Sequence, residues 1–216
     1  MKIGIIVAMD KEYVQLQEVA QSIDNHDIVL AKCGIGKVNA ALGAQKMINE
    51  HHPDIIISSG CAGGNGDDIN IQDVVVSAEL TYHDVYCGKA IDDTTVYGQV
   101  QGLPVRYKPD QSLIEKALNL DCGVKVHAGL IVTGDWFVDS KEKMRSIINL
   151  FPEAKAVDME SCAIAQTCYI NKVPFISFRV VSDMPLYDTD ASQYHNFWNT
   201  IADKSFAVTR NFVETL

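Results

Sequence analysis

Short apolar runs, each about one strand long, alternate along this chain with stretches in which apolar residues recur every three or four positions. The first run, 2–8 (KIGIIVA), is followed by Tyr13, Leu16, Val19 and Ala20 at helical spacing. Runs at 27–32 (DIVLAK), 54–59 (DIIISS), 74–80, 124–133 (VKVHAGLIVT), 156–157 and 173–181 carry the strand signature. Helical patterns follow in an Ala-rich stretch ending near Asn49 and at 111–120, 141–150, 161–169 and about 193–215. The run at 173–181 is almost unbroken β-branched and aromatic, as for a strand buried on both faces. Strand followed by helix, with polar or glycine-rich breaks after most strands, predicts an α/β fold with a largely parallel, helix-covered sheet. Between 85 and 109 the pattern dissolves, which predicts a long functional or subunit-contact loop.

Composition narrows this picture. With 216 residues, 47% of them hydrophobic, and no repeat or linker, the chain reads as one domain, 1–216. The net charge of −10 is spread along the chain and argues against nucleic acid as a partner. No apolar run approaches the roughly 20 residues of a membrane span. The N-terminal run is too short and too soon acidic for a signal peptide. Cysteines 33, 61, 87, 122, 162 and 168 show neither a C-x-x-C pair nor matching histidine spacing, so no metal site or disulfide framework is expected and the compartment is read as cytoplasmic.

Candidate chemistry gathers at the breaks after strands, where ligands collect in open α/β sheets. Glu12 falls at a strand-to-helix junction. Glu160, reached through Asp158 and Met159, falls at a helix entrance, and Ser182-Asp183 lies where the run at 173–181 stops. Each carboxylate also has a structural explanation: Glu12 complements a helix dipole for less than about 1 kcal/mol, Asp158 is an N-cap and Asp183 a turn residue. Arg179, inside an apolar run, demands a buried anionic or polar partner. The glycines at 34 and 36 are not a dinucleotide fingerprint, because Asn39 stands where the third glycine belongs and no acidic ribose ligand follows about 20 residues on. They leave a tight turn. The segment 60–66 (GCAGGNG) predicts a turn with exposed backbone N–H groups and room for a flat ligand. Trp136 and Phe137, just past a strand end, are core or a stacking platform for a heterocycle. His83 and Asp84 are adjacent and rarely could face each other, so His83 is read as structural.

The pieces KIGIIVAMDKE, CGIGKVNAALGA, SGCAGG, YHD, YGQ, TGDWF, VDMES-AIA and RVVSD, in this order, are similar to those of the bacterial 5′-methylthioadenosine/S-adenosylhomocysteine nucleosidases of the purine and uridine phosphorylase superfamily, over nearly the whole chain. The resemblance implies a single-domain α/β fold with a central mixed, barrel-like sheet flanked by helices, and a homodimer. It also implies hydrolysis of the N-glycosidic bond of 5′-methylthioadenosine and/or S-adenosylhomocysteine, without metal or cofactor. On that likeness Glu12 handles the nucleophilic water, Glu160 with Met159 contacts the ribose hydroxyls, and Asp183 protonates the purine with Ser182 positioning it. Phe137 stacks on adenine, the backbone of Val138 reads its edge, and Arg179 lies near the water and Glu12. Ala8, Ile35, Ala62, Gly63 and Tyr194 line the remainder. Cys61, where the family has a small hydroxyl residue, and the bulky Trp136 belong to the lining but depart from the pattern, as does Asp158; the 85–97 region does not align well.

The chemistry makes separate sense of these residue types. Adenine leaves from an oxocarbenium-like sugar only if N7 is protonated, so an acid with a raised pKa must sit over the base, and a carboxylate must activate water at the sugar. Two other readings stay open at this level. A phosphate-dependent nucleoside phosphorylase would need cations near 8–12, where only Lys11 and Arg179 are on offer, and a catalytically silent nucleoside-binding protein is conceivable from Cys61 and Trp136.

Overall fold

Strand β1 (Lys2–Val7) sends alternate side chains into two cores: Ile3, Ile5 and Val7 into one, Ile6 into the other. The same division runs through β3 (Ile55–Gly64), where Ile55 and Ile57 join the first core and Ile56 the second, and through β7 (Phe175–Asp183). Strands apolar on both faces must be covered on both, and helices do the covering. The computed structural model describes residues 1–188, 191–200 and 202–216.

The intervening elements are α1 (Asp10–Ser22), β2 (Asp27–Lys32), α2 (Lys37–His51), β4 (Val74–Tyr82), α3 (Gln111–Leu118), β5 (Val126–Thr133), α4 (Lys141–Leu150), β6 (Ala154–Asp158) and α5 (Ser161–Asn171), with α6 (Ser192–Thr200) and α7 (Ala202–Glu214) closing the chain. The sequence-predicted helix over 193–215 is thus two helices, and residue 201 between them lies outside the described residues, as does the side chain of Val19. The strand order is β2-β1-β3-β6-β5-β4-β7, and β7 returns to pair with β3. Five strands therefore close into a barrel, with β1 and β2 as an extension. β3 makes both possible because its first half pairs with β1 (Ile3↔Ile55 to Ile6↔Ser58) and its end pairs with β6 (Gly63↔Val157, Gly64↔Ala156). Pairings of β3 with β6 and of β4 with β7 are antiparallel and the rest parallel, so the sheet is mixed and barrel-like.

One sequence expectation is corrected here. Residues 60–64 are not a turn; they continue β3, paired with β7 from Gly60↔Arg179 to Gly63↔Asp183. The glycines there answer close packing rather than loop freedom. A Cβ on Gly60 would lie 2.6 Å from Glu12 Oε1, one on Gly63 2.8 Å from Pro185, and one on Gly64 2.7 Å from the Met184 sulfur. The turn at Gly34 and Gly36 stands, with φ of 96° and 93°. From 85 to 109 no helix or strand forms; the segment is held by a bridge between Leu80 and Tyr107 and by stacking of Tyr86 on Tyr97.

Candidate active site

Glu12 enters α1 in its first turn, where the backbone supplies donors that no helical carbonyl can use. Its Oε2 accepts the N–H groups of Ala8 (2.9 Å) and Met9 (3.0 Å), and its Oε1 accepts that of Cys61 (2.9 Å), across from β3. The group is 3% exposed. Burial pushes its pKa up, opposed by the charge of Arg179 and by the three N–H groups. The hydrogen bonds that close the start of the helix also fix the carboxylate in place.

Asp183 ends β7. Ser182 Oγ–H donates to its Oδ1 at 2.6 Å, and burial, with Asp188 adding to it, raises its pKa to about 6 despite that bond. Glu160 sits at the entrance of α5, 8% exposed, with Oε1 accepting the Gly36 N–H at 2.8 Å. Burial and the neighbouring Asp158 raise it to about 7, against Arg179 and the Gly36 bond.

These three carboxyls face one cleft. Ala8, Met9, Ile35, Cys61, Ala62 and Gly63 form one part of its lining, and Trp136, Phe137, Val138, Met159, Ser182 and Tyr194 another. Phe137 meets Tyr194 edge to face at 5.2 Å between ring centres, and the Tyr194 hydroxyl points at the Met9 sulfur. Trp136 is half exposed, with the Lys143 ammonium 4.4 Å over its ring. The partly buried Cys61 thiol lies beside Glu12, and desolvation followed by that charge holds its pKa far up.

Arg179, expected near the water and Glu12, stands beside Glu12, since a Cβ on Gly60 would fall 2.6 Å from Glu12 Oε1 and 3.0 Å from Arg179 Nη1, but it is not on the lining of the cleft. Its Nε donates to Asp158 Oδ2 at 2.6 Å and its Nη2 to Ser58 Oγ at 2.9 Å, with both charged side chains 2% exposed or less. Asp158 is the partner that a guanidinium in an apolar strand demanded. It also takes Thr133 Oγ1–H at 2.5 Å and the Ser161 N–H at 3.1 Å, and so ties β5, β6, α5 and β7 together. Met9, Val157 and Asp158 line the cleft although no motif singled them out for that place. For Asp158 the signal was present, since Arg179 required an acid. For Met9 and Val157 none was, because apolar lining looks like core. His83 is buried with neither ring nitrogen bonded among the described residues, and burial lowers its pKa; Asp84 faces Lys37 instead.

Among the described residues no group of three or more His, Cys, Asp or Glu side chains is placed to hold a metal. What the cleft offers is a carboxyl whose pKa is raised to about 6, a second carboxylate fixed by main-chain donors, and an aromatic face.

A sequence model of the phosphorylase superfamily matches residues 2–214. A 5′-methylthioadenosine/S-adenosylhomocysteine nucleosidase of Staphylococcus carnosus is 39% identical, covering 84% of this chain and 86% of its own. One of Exiguobacterium sp. is 39% identical, covering 85% of each. Among solved structures, that nucleosidase from Neisseria meningitidis, in complex with methylthio-immucillin-A, shares 36% identity at a TM-score of 0.90 over 100% of this chain and 99% of that one. The one from Colwellia psychrerythraea, in complex with adenine, shares 32% identity at a TM-score of 0.91 over 100% and 96%. With a barrel closed in the same way and a cleft at the strand ends, the chain belongs to the phosphorylase superfamily and, within it, to the 5′-methylthioadenosine/S-adenosylhomocysteine nucleosidase family.

Proposed function

We propose that this protein hydrolyses the N-glycosidic bond of 5′-methylthioadenosine and/or S-adenosylhomocysteine, releasing adenine and the 5′-substituted ribose. The observation that carries the reading is the pairing, in one cleft, of Asp183 with its pKa near 6 and Glu12 held by three main-chain N–H groups. In this mechanism Asp183, protonated, gives its proton to N7 of the purine, so that adenine departs neutral. Phe137 stacks on the base and the main chain of Val138 reads its edge. Glu160 takes the ribose hydroxyls beside Met159. Glu12 orients a water and removes its proton as the oxocarbenium-like sugar is attacked. Arg179 acts from beside Glu12: its charge opposes protonation of Glu12 and Glu160, and its pair with Asp158 braces the strand ends.

The phosphorylase reading fares worse for a physical reason. Of the two cations on offer, Arg179 is committed to Asp158 and Ser58, and the Lys11 ammonium lies 5.4 Å over the Trp198 ring. Arg179 is thus not free to balance a phosphate dianion, and Lys11 is not on the lining of the cleft. A silent binder would have no use for a carboxyl held near pKa 6 against an adjacent hydroxyl donor.

The same reading extends to a homodimer in the cytoplasm. Val38 and Leu42, one turn apart on α2, are 70% and 65% exposed, close to Ile35 at the cleft. All six cysteines are free thiols, which suits a reducing compartment. No helix among the described residues is long and apolar enough to cross a membrane.

The test is adenine release from 5′-methylthioadenosine by the purified protein, with and without inorganic phosphate, with the sugar identified by mass. Free methylthioribose without phosphate is expected. A sugar 1-phosphate formed only with phosphate would overturn the hydrolytic reading, and binding without release would overturn catalysis. Running S-adenosylhomocysteine and 5′-deoxyadenosine beside it ranks the substrates.

A further inference from the structure

Lys37 opens α2 at the edge of the cleft, and its contacts join two segments that the mechanism needs but that no strand or helix connects. Its ammonium lies 2.8 Å from both carboxylate oxygens of Asp84 and 3.9 Å from Asp135 Oδ2. Its own main-chain N–H donates to Asp135 Oδ1 at 2.7 Å, and the Asp135 N–H donates to Asp84 Oδ2 at 2.8 Å. One cation and two carboxylates therefore close a ring of contacts between the Gly34–Gly36 turn, the end of β4 and the segment after β5. Charges bridged at several points, with each carboxylate also accepting a main-chain N–H, lose less side-chain freedom than an isolated surface pair, so the general weakness of exposed ion pairs does not carry over.

What the ring holds is specific. The turn carries Gly36, whose N–H is the main-chain donor on Glu160, and Ile35, which lines the cleft. The segment after β5 carries Trp136, Phe137 and Val138. Gly36 has a φ of 93°, and a Cβ there would sit 3.0 Å from Asp135 Oδ1, so the Asp135 carboxylate lies directly against the backbone of the turn. We propose that Lys37 is a positioning residue: with Asp84 and Asp135 it clamps the turn that orients Glu160 against the segment after β5, and so holds Glu160 in place for the sugar contact. The proposal rests on the reading of Glu160 as the sugar contact. Glu160 itself is faced by Asp158 from β6, Arg179 from β7, Glu12 from α1, Cys33 ahead of the turn and the Gly36 N–H. Only the last of these is under the control of the clamp.

A double-mutant cycle separates positioning from bulk stability, because a residue that acts through Glu160 loses its effect when Glu160 is already disabled. Hydrolysis of 5′-methylthioadenosine is measured for wild type, Lys37→Met, Lys37→Arg, Glu160→Gln and the Lys37→Met/Glu160→Gln pair, with melting curves for each. Lys37→Met is expected to lower kcat/KM roughly ten- to hundredfold, the scale of one charge-assisted hydrogen bond. Lys37→Arg is expected to recover most of that. In the Glu160→Gln background the Lys37→Met change is expected to alter kcat/KM by less than about threefold. Wild-type kinetics for Lys37→Met, an equal loss in both backgrounds, or no recovery with Lys37→Arg would each overturn the clamp. If Lys37→Met does not fold, Asp84→Asn replaces it in the same cycle: a loss confined to the Glu160 background supports the clamp, and wild-type kinetics or an equal loss in both backgrounds overturns it. A Glu160→Gln enzyme within about twofold of wild type would remove the reading of Glu160 first, whereas an impaired Glu160→Gln with an indifferent Lys37→Met removes the clamp alone.

Discussion

The Asp183 carboxyl holds its proton to about pH 6 in the folded protein but would release it near 3.8 in the unfolded chain. Between those values the native state binds the extra proton, so stability falls as pH rises, and above about pH 6 the whole deficit is present. Roughly two pH units amount to about 3 kcal/mol. Asp183→Asn keeps an acceptor for Ser182 and removes the ionisable group. It is expected to be more stable than wild type by up to about 3 kcal/mol at pH 7.5 and no more stable at pH 4, while losing about 10²- to 10⁴-fold in turnover. Urea unfolding at the two pH values, with adenine release measured beside it, checks this; equal stability at pH 7.5 would mean that the site does not hold the proton. Arg179 and Asp158 have a different logic. Their charges are paired and out of water, so their value lies in what would happen if one were removed.

At the scale of the element, β3 carries the site's tightest packing. Gly60 pairs with Arg179 across the β3–β7 ladder, and the next residue, Cys61, gives its N–H to Glu12. An added methyl would fall 2.6 Å from Glu12 Oε1 and 3.0 Å from Arg179 Nη1. Gly60→Ala is therefore expected to push Glu12 off its three donors, lowering kcat/KM at least roughly tenfold and stability by about 1–3 kcal/mol. Retained activity in that variant, measured with its melting curve, would show that Glu12 can move without loss. The glycine pattern at 60–66 was read as a turn because glycines usually punctuate. A strand rich in glycine is indistinguishable from a loop until the neighbours that exclude a Cβ are known, and those neighbours, Glu12, Pro185 and Met184, lie far away in sequence.

For the whole molecule, exposed apolar surface governs association with further copies. A chain of net charge −10 repels its copies, so association must come from apolar contact. Val38 and Leu42 on α2, with Tyr86, Ile91 and Val96 in the 85–109 loop, are among the large exposed side chains available for it. Leu42→Lys is expected to shift a dimeric wild type to monomer in light scattering and to raise KM, because Ile35 on the preceding turn lines the cleft. An unchanged mass would place the interface elsewhere.

Much of this protein was legible along its chain. The strand and helix periods, the run at 173–181, the demand of Arg179 for an acid, and the positions of Glu12, Glu160 and Asp183 at element junctions all follow from local pattern, since burial imposes period two on strands and 3.6 on helices wherever the chain goes. The motifs carried the family. Closure of the barrel through β3–β7, the role of Gly60 to Gly64 as strand, the commitment of Arg179 to Asp158, and the joining of Lys37, Asp84 and Asp135 at the edge of the cleft could not be read that way. Each depends on contacts between residues tens of positions apart, and the pKa of a carboxyl depends on how completely such contacts exclude water. Local sequence determines which segment becomes which element; only packing decides which side chains share a space and what charge they carry in it.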